Sequence, residues 1–149
     1  MPKTPREQLG TAISRAARLM RTRLDERLAP LGLTQAKWLI LFYLSNNGGV
    51  MPQKDIAECI GVEGPTVVRV LDGLERMGLI ERRDQPADRR SKDVCLTGQA
   101  EAIREEIGRI VVEFRRTLWD GIADADLAVC LRVMTRLLAN LNASPRLGG

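Results

Sequence analysis

From Glu7 to Leu31 the apolar residues Ile13, Ala17, Met20, Leu24, Leu28 and Leu31 return at steps of three and four, the spacing of one helical face. The pattern predicts a long amphipathic first helix, interrupted by Pro30 and Gly32. Thr34 then precedes Gln35-Ala36-Lys37 and the apolar series Trp38, Leu39, Leu41, Phe42 and Leu44. This reads as a capped second helix that stops at Asn46-Asn47-Gly48-Gly49. Two shorter helices are predicted at Gln53–Ile60 and Gly64–Met77, with Gly61-Val62-Glu63 as a tight turn between them and Gly78 as the stop. Leu79–Arg83 and Asp93–Leu96 are strand candidates on either side of Asp84–Lys92, a polar stretch that reads as a solvated hairpin. Thr97 is placed to cap a third long helix carrying Ile103, Ile107, Ile110, Phe114 and Leu118. Asp124 is placed to cap a last one carrying Leu127, Leu131, Met134, Leu138 and Leu141, and Ser144 to Gly149 is expected to be a loose tail.

The expected fold is therefore mostly α, a winged helix-turn-helix with a short β-hairpin wing, flanked by long N- and C-terminal dimerisation helices. Its divisions are residues 1–33 (N-terminal dimerisation helix), 34–97 (DNA-binding lobe), 98–143 (C-terminal dimerisation helices) and 144–149 (tail). The outer helices carry broad apolar stripes that a small central module cannot cover, so a second copy in a two-fold homodimer is the natural cover.

Within the central module, Ala57, Gly61 and Val67 fall at helix-turn-helix spacing: a small residue where two helices touch, a turn glycine, then a buried aliphatic. Ile56, Ile60, Val70 and Leu74 complete the apolar set, with Cys59 assigned to the inner side. The same interval also occurs in helical hairpins that bind nothing, and the hairpin that follows immediately is what favours a wing. Pro65 suits a first helical turn, where no amide partner is lost and amides remain free to face phosphate. Thr66 and Arg69 lie three apart on one face, away from Val67, Val70, Leu71 and Leu74. That places them to read base edges, or to form an ordinary solvated face. The hairpin holds five cations, Arg82, Arg83, Arg89, Arg90 and Lys92, near a tip stiffened by Pro86. A narrow minor groove focuses negative potential and favours arginine there, and Asp88 is placed to brace one guanidinium. The candidate DNA-binding set is Gln53, Gly64, Pro65, Thr66, Arg69, Asp88, Arg89, Arg90 and Lys92.

Composition narrows the remaining classes. The formal charge of +4 and an isoelectric point near 9.3 suit a polyanionic partner such as double-stranded DNA. Only 3% of residues are aromatic, which favours helices packed through aliphatic ridges. There is no histidine, no phosphate-binding glycine loop, and the carboxylates are dispersed along helix faces, so no catalytic residue is assigned and an enzyme is not expected. Cys59, Cys95 and Cys130 are odd in number and lack a paired spacing, so neither a metal site nor a cofactor is expected. A reducing cytoplasm fits them, with all three read as small buried apolar residues. No apolar run approaches twenty residues, and no membrane association is expected.

Leu33-Thr34-Gln35 with Trp38, Ile60-Gly61-Val62-Glu63-Gly64-Pro65-Thr66-Val67-Val68-Arg69, Leu74-Glu75-Arg76-Met77-Gly78-Leu79-Ile80, and Asp88-Arg89-Arg90-Ser91-Lys92 through Leu96-Thr97 resemble the MarR family of transcription regulators. The nearest branch is SlyA-like. The resemblance implies a triangular two-fold dimer, most often a repressor, on a near-palindromic operator with half-sites about one DNA turn, roughly 34 Å, apart. It also implies a cleft for a small aromatic (including phenolic) or lipophilic anionic ligand, and Arg15, Arg18, Trp38 and Phe42 match that region. A redox-responsive regulator sensing through a cysteine is the alternative. Peroxide-sensing relatives carry their reactive cysteine in the first helix, whereas the first cysteine here is Cys59.

Overall fold

The computed structural model describes residues 4–145. Helix α1 (Pro5–Leu28) starts at a capping box: the Glu7 amide donates to the Thr4 hydroxyl at 3.3 Å, and the Thr4 amide donates to the Glu7 carboxylate at 2.7 Å. It begins two residues earlier than the apolar pattern shows, because the capping box and Pro5 set its start while the stripe begins only at Ile13. It also ends earlier. Ala29–Leu31 tighten into a single 3₁₀ turn around Pro30, which has no amide to continue the α ladder. Helix α2 (Gln35–Asn46) is capped by Thr34, whose hydroxyl accepts from the Lys37 amide. The Gln35 amide is tied to the Asp25 carboxylate of α1 at 2.5 Å.

Three residues not predicted as regular structure, Val50–Pro52, form strand β1. Helices α3 (Gln53–Ile60) and α4 (Gly64–Arg76) follow as expected, and then strands β2 (Ile80–Gln85) and β3 (Asp88–Leu96). The sheet is antiparallel in the order β1-β3-β2, with Met51 opposite Val94 and Ile80 opposite Leu96. β1 escapes a sequence reading because three residues ending in proline carry no alternation.

The hairpin expected at Asp84–Lys92 forms, and its strands run further than Leu79–Arg83 and Asp93–Leu96, taking in most of that polar stretch. Backbone pairing carries both strands outward until only Pro86 and Ala87 remain as the turn. Polar side chains on both faces hide a ladder that the backbone alone makes.

Helix α5 (Gly98–Leu118) and helix α6 (Asp124–Ala143) complete the order. Neither expected cap forms through its side chain. Thr97 instead donates its hydroxyl to the Gly78 carbonyl at 2.5 Å, and Ala123 occupies the cap position of α6 while Asp124 and Asp126 lie inside its first turn. There the two carboxylates face the positive end of the helix dipole. Ser144 closes α6 on the Asn140 carbonyl, and the rest of the expected tail, 146–149, lies outside the described residues.

The chain divides into two units, one through Phe114 and one from Arg115. In the first, Ile40, Leu44, Ile56, Leu71, Leu74 and Val94 have no exposed surface, and α2, α3, α4 and β3 pack on this set. The Arg27 guanidinium lies over the Phe114 ring, 5.1 Å from its centre. In the second unit, α6 has no buried residue, and Leu131, Leu138 and Leu141 are well exposed.

Close packing makes the α4 seam the sensitive point of the first unit. Leu71→Ala is expected to destabilise the folded chain by about 2–5 kcal/mol, because the cavity would be walled by α2 and α3. Urea unfolding of the two proteins at equal concentration measures it.

Candidate nucleic-acid interface

The helix-turn-helix forms as its spacing implies. Gly61 adopts φ +66, a left-handed conformation that costs a residue with a Cβ, and its amide and that of Val62 both return to the Ala57 carbonyl, at 3.0 and 3.3 Å. This reverses the chain in three residues and brings α3 against α4, where Val67 is buried and Ala57 half-buried. Cys59, expected on the inner side, is exposed, because the inner stripe of α3 runs through Ile56 and Ile60. Cys130 is also exposed, and of the three cysteines only Cys95 is buried as expected.

Val67, Leu71 and Leu74 point α4 inward, so its opposite face carries the candidate readers. Gly64, Pro65 and Arg69 are exposed and Thr66 is half-buried. The Thr66 and Val67 amides both donate to the Glu63 carbonyl, at 3.0 and 3.1 Å. The first turn therefore offers fewer free amides than Pro65 alone suggests, and its outward chemistry lies in side chains.

The wing sorts its cations into two kinds. Arg82 is held at the base: its guanidinium donates to Asp72 at 2.5 Å and to Glu75 at 2.6 and 3.1 Å. Arg83 pairs with Glu81, and Lys92 with Asp84. Arg69, Arg89 and Arg90 have no ion pair among the described residues. The register shows why the last two stand out. Gln85 pairs with Asp88 and Asp84 with Lys92, so β2 advances one residue while β3 advances four, and Arg89, Arg90 and Ser91 bulge from the ladder. Asp88 shapes that bulge through the backbone and not, as expected, by bracing a guanidinium: it accepts from the Arg90 amide at 3.0 Å and from the Ser91 hydroxyl at 3.2 Å.

A cleft of about 250 Å³ joins the three pieces, lined by Gln53 and Lys54 at the start of α3, Gly64 at the start of α4, and Gln85, Arg90 and Lys92 of the wing. Lys54 and Gln85 were absent from the sequence-derived set. Lys54 sits beside Gln53 and was legible as a charge at a helix start; Gln85 becomes visible only through the bulge.

The candidate ligand residues are less gathered. Trp38 and Phe42 lie side by side on α2 with ring centres 5.5 Å apart, and Phe42 is 40% exposed. Arg15 and Arg18 are exposed on α1, and the shallow cleft that Arg15 lines is bounded by α1 residues alone. Among the described residues no cluster of three metal-ligating side chains occurs, and no helix is long and apolar enough to cross a membrane.

A reversed helix pair with a cationic two-stranded wing, joined by a polar cleft, defines a winged-helix module. The family model of the MarR family matches residues 31–91. A solved transcriptional regulator, PA3341, is 40% identical over 91% of this chain and 99% of its own, with a TM-score of 0.80. AbsC, a MarR family transcriptional regulator from Streptomyces coelicolor, is 25% identical over 97% and 99%, with a TM-score of 0.83. A mutant MarR from E. coli, solved in complex with operator DNA, shares the fold at a TM-score of 0.80 and 24% identity, over 88% of this chain and 94% of its own. The chain belongs to the MarR family, whose members are transcription regulators and not enzymes.

The clamp at the wing base carries a pH signature. The Arg82 guanidinium holds the Glu75 carboxyl below the usual carboxylate range, against a smaller opposing effect of burial, and Glu75 raises the Arg82 pKa in turn. A depressed carboxyl pKa stabilises the fold above its unfolded value, near 4.3, and that contribution is lost as pH falls through the folded value. The Arg82 amide also donates to Glu75, at 3.3 Å. Its hydrogen-exchange protection, corrected for intrinsic rate, is expected to hold at neutral pH and fall below about pH 4, and to lose that pH dependence in Glu75→Gln.

Proposed function

We propose that this chain is a homodimeric transcription regulator, a repressor, that binds a near-palindromic duplex operator. In this reading α4 enters the major groove and the wing enters the adjacent minor groove. The observation that carries it is the segregation of charge: Arg69 on α4, with Arg76 two turns along the same face, and Arg89 and Arg90 on the bulge have no ion pair among the described residues, while Arg82, Arg83 and Lys92 of the same wing are paired. Gln53, Lys54 and the paired Lys92 border the cleft between them and suit phosphate contacts, and Asp88 serves by shaping the bulge. Gly64, Pro65 and Thr66 form the leading turn of α4. A mutant E. coli MarR of the same fold, solved in complex with operator DNA, supports duplex DNA as the partner. DNase I footprinting on DNA flanking the gene tests it, and the expected result is a protected stretch with two-fold symmetry.

Dimerisation through residues 1–33 and 98–143, around the lobe at 34–97, is supported by the exposed apolar residues Leu9 and Leu19 on α1 and Leu131, Leu138 and Leu141 on α6. Within its family the chain sits in the SlyA-like branch, on the strength of its wing sequence, and acts in the cytoplasm on the cell's DNA. A small aromatic or phenolic anion releases it from DNA, with Trp38 and Phe42 stacking on the ring and Arg15 and Arg18 drawing the charge. The exposed aromatic pair supports this. Trp38→Ala is expected to leave operator affinity intact while raising the concentration of salicylate or a similar aromatic acid needed for release, as read by fluorescence anisotropy of labelled operator.

The two DNA contacts differ in kind. Arg69→Ala removes a side chain able to read guanine edges and is expected to cost about 1–3 kcal/mol per half-site on the operator and much less on random DNA. Arg90→Ala is expected to weaken binding to every sequence and to flatten its salt dependence, because the minor groove offers a degenerate pattern and a focused potential. Gel-shift titrations against operator and scrambled DNA at several salt concentrations separate the two. Unchanged affinity in the Arg89→Ala/Arg90→Ala double mutant contradicts the wing assignment.

A further inference from the structure

Arg82 looks like one more wing cation, yet the structure withdraws it from the exposed surface and fastens it to α4. One guanidinium nitrogen meets both Asp72 and Glu75, a second meets Glu75, and the Arg82 backbone amide donates to Glu75 as well. A planar fork gripped by two carboxylates, one of which also accepts from the Arg82 backbone amide, fixes orientation as well as distance. Asp72 and Glu75 follow Thr66 and Arg69 at steps of three along α4, a line that winds round the helix, so Asp72 lies beside the outward face of Arg69 and Glu75 on the flank about 120° from it. The face offered to a major groove and the flank that holds the wing are therefore parts of one rigid helix.

The clamp sits where the hairpin leaves the core. Arg82 pairs across the sheet with Val94, which is fully buried, and beyond that rung Arg83, Asp84 and the tip are exposed. Four residue steps lead from Arg82 to Pro86, about 13 Å, so a tilt of about 10° at this rung displaces the tip by about 2 Å. That displacement exceeds the tolerance of a hydrogen-bonded groove contact.

We propose that Asp72, Glu75 and Arg82 are positioning residues that set the angle of the wing to α4, so that the major-groove and minor-groove contacts are made together. The inference rests on the DNA-binding reading above. None of the three needs to touch DNA. Their effect on affinity runs through Arg89 and Arg90: with the clamp intact these arginines arrive already placed, and without it each binding event must also order the wing, which offsets what they contribute.

The test is a double-mutant cycle on the full-length protein, with a duplex carrying the footprinted operator. Arg90→Ala is expected to weaken binding about tenfold in the wild-type background and less than about threefold in the Arg82→Met background, while Arg69→Ala costs the same factor in both. A merely structural role for Arg82 moves both factors or neither. Arg82→Lys, which keeps the charge and loses the fork, is expected to resemble Arg82→Met. If Arg82→Met does not fold, Asp72→Asn with Glu75→Gln empties the clamp while keeping shape, and the same cycle is run there. An Arg90→Ala factor that is unchanged by clamp removal overturns the inference and leaves the DNA-binding reading standing. Wild-type protein that prefers no duplex sequence overturns both.

Discussion

The buried side of α4 is the constraint on which the remaining geometry of the module depends. Val67, Leu71 and Leu74 are sealed against α2 and α3, and this sets the rotation of the helix about its own axis. Once that rotation is set, Thr66 and Arg69 have one outward direction, and Asp72 and Glu75 have one strand within reach. A one-residue slip of the stripe would turn Arg69 by about 100° and leave Arg82 without its carboxylates. Burial of three aliphatic side chains thus determines where charge appears on the far surface.

From that seam outward, control passes from packing to hydrogen bonds. The base of the sheet is held by apolar burial at Ile80 and Val94, the Val94 rung also by the Arg82 clamp, and the outer wing by polar contacts, with Gln85 donating to Asp93, Lys92 pairing with Asp84, and Asp88 accepting from the Arg90 amide and the Ser91 hydroxyl. Each step is weaker and wetter than the last. The order suits an element that must be aimed and also adapt to a groove, since low local stability is where functional motion is drawn from.

Helical pieces of the fold were legible because burial leaves a period in the sequence. The limits of α3, the turn at Gly61 and the inward set on α4 all follow from spacing. What the sequence concealed is backbone-driven or long-range. β1 has three residues and a proline, and the outer wing pairs through a polar ladder with no alternation. The side-chain caps expected at Thr97 and Asp124 do not form, because a hydroxyl or carboxylate near a helix start has several possible partners: Thr97 directly precedes α5 but donates to the Gly78 carbonyl, and Asp124 is the first residue inside α6. The candidate interface was legible as residue types, arginine on a helix face and at a wing tip. Arg83 is paired by Glu81 two residues away, but Arg82 is paired by carboxylates seven and ten residues away, and no local pattern announces Asp72 and Glu75 as its partners.

The central claim is that one chain touches both grooves, α4 in one and the wing in the other. Methylation interference on the operator reads both at once, because dimethyl sulfate modifies guanine N7 in the major groove and adenine N3 in the minor groove. The account predicts interference at guanine N7 within each half-site and at adenine N3 on its flank, repeated with two-fold symmetry. Interference confined to one groove, or none at either atom while the protein remains bound, contradicts it.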